Sequence, residues 1–300
     1  MTLTVFILVF VSAALHVFWN AYVKTSRDKV SFAWLTSLAG TLVLVPVFII
    51  SRLAAPGPLS AGIIAWAALS GLFEAAYTIL LFTAYDRADL SVVYPLSRGV
   101  APLFTLALGG LLLGDTVTPL HGLAVLVVVA GVAGVSFSAM PSRDGTASLA
   151  QRRLPAGILL ALAAAAMIAG YHLVDRRAMT LPAKPSALEY LFLMHCFLML
   201  FVSAWIALSP ERRRRAPGEW ARNRTGVLIV GVGSTVAYFL IMLALRHGNV
   251  THIAAGRNVG IVISTIVGAL FLKERVCWKR ALGAVLICAG VAALVLLNTH

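Results

Sequence analysis

Apolar runs of about 20 residues recur along the chain, separated by short polar stretches, over roughly 3–22, 31–51, 60–85, 89–112, 119–139, 155–174, 187–208, 225–245, 250–272 and 279–297. A run of that length rises about 30 Å as a helix, which matches the hydrocarbon thickness of a bilayer. Uninterrupted stretches such as Leu123 to Val135 lack the alternation of a membrane β-barrel strand, and a bilayer leaves only helices as the alternative. The pattern therefore predicts an all-α polytopic membrane protein with ten transmembrane helices. Met1-Thr2-Leu3-Thr4 carries no positive charge ahead of the first run, so the first helix is expected to be retained rather than cleaved.

Composition agrees: 60% of the 300 residues are hydrophobic, 12% are charged and the mean hydropathy is +0.94, far from a soluble norm of roughly a quarter charged. A cytosolic enzyme or secreted module is excluded. The net charge of +13 would suggest nucleic acid in a soluble chain, but the Lys and Arg residues sit between the apolar runs. Loops after odd-numbered helices hold 17 of them and loops after even-numbered helices hold 5, with Arg98 and Arg257 inside helices. By the positive-inside rule the odd loops face the cytoplasm, both termini lie outside, and no nucleic-acid partner is expected. Arg212 to Arg215 reads as a membrane-flanking loop. Cys196, Cys277 and Cys288 show no metal-ligand spacing, and neither a metal nor a cofactor is expected.

The chain also repeats itself at an offset of about 160. Ala84 to Arg98 aligns with Ala244 to Asn258, and Asp115 to Val132 aligns with Glu274 to Val291, each closing on Ala-Gly-Val. Five helices per half is an odd number, so the second half enters the membrane from the opposite side. The expectation is two inverted five-helix repeats, residues 1–150 and 151–300, with a binding site near the midplane between them.

Ionisable groups in the centre of a membrane helix cost about 2.5 to 3.5 kcal/mol on insertion scales and mark function by default. Glu74, Arg98 and Arg257 qualify. Glu74 shares a helical face with Gly71 and Tyr77; Arg98 shares one with Tyr94, and Arg257 one with Ser264. The competing reading pairs Glu74 with one arginine as a structural ion pair. Helix one carries a polar stripe, Ser12, His16, Asn20 and Lys24, with Trp19 beside it. On helix 6, Tyr171, His172 and Asp175 crowd near the outer end, and on helix 8 Ser234 and Tyr238 add to the polar set. The substrate-binding candidates are Glu74, Arg98, Arg257, Trp19, Tyr77, Tyr94, Tyr238, His16, Asn20 and Ser264. His195 reads as a packing residue. Pro95 and Pro102 in helix 4, and Gly256 and Gly260 in helix 9, are candidate hinges flanking the arginines.

Several of these elements resemble the EamA-type ten-helix transporters of the drug/metabolite transporter superfamily: His16-x-x-Trp19-Asn20-x-x-x-Lys24, the stretch Tyr94 to Pro102, and the acidic Asp115 and Glu274 before each half's last helix. The last helix, Gly283 to Val291, resembles that of the small multidrug resistance proteins. Their first-helix coupling glutamate has no counterpart here, because His16 occupies that helix. The resemblance implies a secondary transporter of the bacterial inner membrane, not an enzyme, that exports amino acids or related metabolites, as in a YddG-like branch. Multidrug or cationic compounds and phosphorylated metabolites are the alternatives, with protons as a candidate coupling ion and a monomer as a plausible state. No phosphate-cradling G-x-x-x-x-G-K-[ST] motif occurs, so nucleotide hydrolysis is not the drive. A membrane-embedded transferase is the reading from another class. It needs an acid, a base and a nucleophile together, and His172 with Asp175 stands alone.

Overall fold

A computed structural model describes residues 2–54, 59–87, 90–113, 118–138, 149–181, 186–263, 266 and 278–297. Within them the chain is helical and has no strand. The helices are α1 (Leu3–Thr25), α2 (Lys29–Ala54), α3 (Ala61–Tyr85), α4 (Leu90–Leu113), α5 (Pro119–Ser138), α6 (Leu149–Met179), α7 (Ala187–Ala207), α8 (Pro210–His247), α9 (Val250–Gly256) and α10 (Trp278–Leu296). Six are long and apolar enough to cross a membrane, and the apolar parts of α1, α5, α9 and α10 are shorter. Large apolar side chains on different helices point outward, with Leu111 80%, Leu159 69% and Leu200 57% exposed, while Ser12, Thr105, His172 and Asp175 are buried. An apolar exterior around a polar interior is the arrangement that lipid demands and water does not.

Two elements differ from the sequence expectation. Arg212 to Arg215 form the first turns of α8, not a loop. Ser209 caps that helix by accepting from the Arg212 backbone N–H, Pro210 fits the first turn, and Glu211 pairs with Arg215 one turn on. A kink at Asn223, with φ −129° and ψ 27°, then separates this arginine-bearing segment from the spanning part of α8. Glu219, buried before the kink, accepts from the Asp28 backbone N–H at 3.2 Å and so ties α8 to the α1–α2 connection. The second difference is helix 9, expected to be continuous. It breaks at Arg257 and Asn258 and resumes over 259–263. Across the break the hydrogen bonds tighten to the three-residue type, with Asn258 N–H donating to Ala255 and Gly260 N–H to Arg257.

Helix pairing follows a regular scheme. α5 packs along α10 and α2 contacts α7; α3 packs on α6 as α1 does on α8, and α2 packs on α8 as α3 does on α7. Glycine contacts repeat the scheme atom by atom. A Cβ on Gly71 of α3 would lie 2.7 Å from Phe197 Cβ, 2.8 Å from the Met194 carbonyl O and 2.9 Å from Leu198 N on α7. One on Gly231 of α8 would meet Ala39 Cβ at 2.7 Å, the Thr36 O at 2.7 Å and Gly40 N at 3.2 Å on α2. Likewise Gly131 of α5 approaches the Gly283 O and Ile287 N of α10, and Gly290 of α10 approaches the Ala124 O and Val128 N of α5. Each glycine lets two helix backbones touch, as membrane helices must where apolar burial drives nothing.

These contacts give a stability test. Gly71→Ala or Gly231→Ala forces a methyl into opposing backbone and should cost about 1 to 3 kcal/mol. Gly122→Ala, where nothing lies within 4 Å, should be neutral or slightly stabilising. Thermal unfolding of the detergent-purified variants checks this; equal melting temperatures for all three would show that the glycine contacts carry no strain.

Candidate functional site

The middle of the bundle holds a cavity of about 140 Å³, comparable to one that accommodates a benzene-sized molecule. Glu74 and Tyr77 of α3, Arg98 of α4, Arg257 after α9, Tyr238 of α8 and His16 of α1 all line it. Six of the ten binding candidates read from sequence thus meet in one space, although they come from five different stretches of chain. From the centre the lining runs along Thr36 and Phe32 of α2 and along Leu81, Phe82 and Tyr85 of α3. This is toward the end where α2 begins and α3 ends. The opposite end is filled by a core of Ile63, Ile168, Tyr190, Met194, Ile241 and Leu245.

Within the cavity the charges are held apart. Arg98 Nη2 donates to the Tyr77 hydroxyl at 3.2 Å, and its guanidinium lies 5.7 Å from the centre of the same ring. Arg257 Nη1 donates to His172 Nε2 at 3.0 Å. Because a guanidinium can only donate, His172 must offer the lone pair of Nε2 and keep its proton on Nδ1, which is buried without a partner. Glu74 forms no ion pair with a described residue, and its Oε2 is buried with no hydrogen-bond partner. The expected competition between an ion pair and an open carboxylate thus resolves in geometry: the arginines are occupied by an aromatic hydroxyl and an imidazole, and the carboxylate is not used.

Aromatic rings connect these groups. Tyr171 of α6 lies 5.9 Å from Tyr77 and 5.7 Å from Tyr238, centre to centre, and packs edge-on against His172. Beyond Tyr238 stands Asp175, whose Oδ1 accepts from the Tyr190 hydroxyl at 2.9 Å and whose Oδ2 accepts from the Tyr238 hydroxyl. Tyr190 also reaches the Trp66 carbonyl at 3.4 Å. Arg176 Nη1 donates to the Leu245 carbonyl at 2.5 Å, and Arg52 pairs with Glu189 at 3.3 Å, joining α6 to α8 and α2 to α7 near the closed end.

Other sequence candidates fare differently. α1 contains Trp19 and Asn20, and α4 contains Tyr94 and Pro95, but the placement of those four side chains lies outside the description, and Ser264 lies outside the described residues. Pro102 sits buried within α4, which continues past it, and the Thr105 hydroxyl donates to its carbonyl at 3.0 Å. Gly256 and Gly260 flank the break in helix 9, and Gly260 leaves room for an ordinary contact with Ala13 of α1. His195, read from sequence as a packing residue, lines the cavity, with Nδ1 buried and unpartnered. The signal for it lies in the packing, not in the sequence. The matched glycine contacts register α2 with α7 at an offset of 158, which sets His195 opposite Ser37, another cavity residue.

Residues 1–137 and 155–296 both match the EamA-like transporter family. The chain belongs to that family. It is therefore a multi-pass membrane protein of a transporter family. One solved structure, titled only as the crystal structure of a protein, superposes with a TM-score of 0.68 over 98% of this chain and 98% of its own, at 18% identity, a likeness of fold alone. A comparison with curated proteins gives no match.

The openness of one end and the closure of the other can be read by thiol labelling. In a version with its cysteines replaced by serine, Thr36→Cys and Phe82→Cys should react with a water-soluble maleimide, whereas Ile241→Cys should not. Equal labelling at all three positions would contradict a cavity open at one end.

Proposed function

We propose that this protein is a secondary transporter that moves small metabolites by alternating access, and that it exports amino acids or related zwitterions. The carrying observation is the Glu74 carboxylate with an unpartnered oxygen in the same cavity as two guanidiniums. A zwitterion uses both signs: its ammonium fits Glu74, and its carboxylate fits a guanidinium that exchanges a tyrosine or imidazole for it, since arginine binds carboxylates bidentately. A pure cation or a phosphorylated metabolite would leave one sign unanswered. Tyr77 and Tyr238 supply aromatic faces for a side chain or for the ammonium.

Alternating access rests on a reading of the two halves, 1–150 and 151–300, as inverted repeats. Supporting it are the family match in two blocks, the helix pairs that exchange when numbered five apart, and the glycine contacts that recur with the same atoms. A two-fold relation between five-helix units lies in the membrane plane, so a cavity open at one end implies a second state open at the other. In a bacterial inner membrane, the charge of the odd-numbered connections supports an open end facing the cytoplasm with both termini outside. An alkaline phosphatase fusion after His300 should then be active, and a fusion between Arg212 and Arg215 should be inactive. The reverse pattern would overturn the orientation.

Uptake of labelled neutral amino acids into proteoliposomes tests the substrate. Glu74→Gln keeps the shape and removes the charge, so it should weaken binding of amino acids at least tenfold more than binding of their deaminated analogues, the loss of a charge-assisted contact of roughly 1.5 to 3 kcal/mol. Arg98→Ala and Arg257→Ala should still insert, because each removes a costly intramembrane charge, yet lose uptake. Uptake retained in both arginine variants, or an equal effect of Glu74→Gln on amino acids and analogues, would sink the zwitterion site.

A further inference from the structure

Asp175 is a second intramembrane carboxylate, and substrate binding as described has no use for it. It is fully buried on α6 and does not line the cavity. Among the described residues no arginine, lysine or histidine forms an ion pair with it. The groups that face it are Tyr190 of α7, Tyr238 of α8, Ser70 and Glu74 of α3, and Tyr171 and His172 of its own helix. The arginines on the two other elements packed against α6 are engaged elsewhere, Arg98 by Tyr77 and Arg257 by His172. A carboxylate in a low-dielectric interior without a cation is costly, and taking up a proton removes that cost.

The hydrogen bonds state what a proton would change. As a carboxylate, Asp175 accepts from both tyrosine hydroxyls, one on each oxygen. As a carboxylic acid it carries one O–H that needs an acceptor, and the Tyr238 oxygen beside Oδ2 can serve. The bond to Tyr238 then reverses: the acid donates to the tyrosine oxygen, and the tyrosine hydroxyl turns to the cavity that Tyr238 lines. On loading, a hydronium O–H in the outer water breaks as the carboxyl O–H forms; on unloading, the carboxyl proton passes to the Tyr238 oxygen while the Tyr238 hydroxyl gives its own proton to water in the cavity.

Access to water from the far side follows from the repeat. The Ser12 hydroxyl of α1 reaches the Ala237 carbonyl of α8 at 2.9 Å, and Tyr171 of α6 meets Tyr77 of α3. Ala237 and Tyr77 are 160 apart and Ser12 and Tyr171 are 159 apart, so α1 and α6 register at 159 and His16 is the counterpart of Asp175. His16 lines the open cavity, while Asp175 sits in the closed end. Exchange of the two halves' roles brings Asp175 to the place His16 now holds, open to the opposite side.

We propose that Asp175 is the proton-binding site that couples transport to a proton gradient, loaded from the outer side in the alternate state and unloaded through Tyr238 into the cavity. This rests on the alternating-access reading above, and it assigns the proton to Asp175 and the substrate ammonium to Glu74.

Infrared titration of the full chain in lipid nanodiscs tests the site without any substrate. The carbonyl stretch of a buried carboxylic acid should appear on acidification in the wild type and in Glu74→Gln, be lost in Asp175→Asn, and shift in Asp175→Glu and in Tyr238→Phe. Asp175→Glu keeps a carboxyl group should Asp175→Asn fail to fold. A band that survives in Asp175→Asn, or that is lost in Glu74→Gln, or no band in any protein, overturns the proposal. In proteoliposomes, the ratio of labelled amino acid uptake with and without an imposed pH gradient should exceed one for the wild type and fall to one for Asp175→Asn. A wild type that takes up no amino acid refutes the amino acid reading, and the infrared result still decides Asp175. A wild type with uptake indifferent to the gradient refutes coupling alone.

Discussion

A charge in hydrocarbon cannot borrow hydration, so whatever the fold does with Glu74, Asp175, Arg98 and Arg257 it must do with its own atoms. That constraint shapes the centre of the bundle. Four ionisable groups from α3, α4, α6 and the break after α9 are drawn into one interior, and tyrosines fill the space between them. A direct arginine–carboxylate lock would satisfy the charges at the expense of the site, leaving nothing for a substrate to complete. Pairing the cations with neutral acceptors instead leaves each guanidinium a partner that a carboxylate, which is charged and binds bidentately, would outcompete.

Rigid and yielding parts are assigned to different places. Backbone-to-backbone packing at Gly71, Gly131, Gly231 and Gly290 fixes helix pairs. The irregular backbone at Arg257 and Asn258, with three-residue hydrogen bonds between Gly256 and Gly260, lies beside the cavity. Non-helical backbone at membrane depth is tolerable where protein or a cavity surrounds it, which is where this break falls.

Much of this was legible in the sequence for a simple reason: hydrocarbon thickness sets the length of each apolar run, and an ionisable residue within one stands out. The ten runs, Glu74, Arg98 and Arg257 follow from that alone. The resolution of the charges was not legible, since it depends on which faces meet. His172 receives Arg257 from 85 positions away, and Tyr238 reaches Asp175 across 63. Arg212 to Arg215 look like a loop because charge dominates their hydropathy, and only the cap at Ser209 and the Glu211 pair reveal the helix. His195 looks inert because a lone histidine carries no pattern of its own; its meaning comes from the cavity it adjoins.

The contact between α5 and α10 has a consequence for the surrounding bilayer. With Gly131 against Gly283 and Gly290 against Ala124, the two backbones lie too close for an acyl chain to enter between them. Lipid therefore meets the pair as one broad wall, coated by Leu126 at 55% and Val285 at 62% exposure, rather than as two cylinders with a groove. The annular lipids there have one surface to match in thickness, and this flank of the protein offers the membrane a flat, seamless edge.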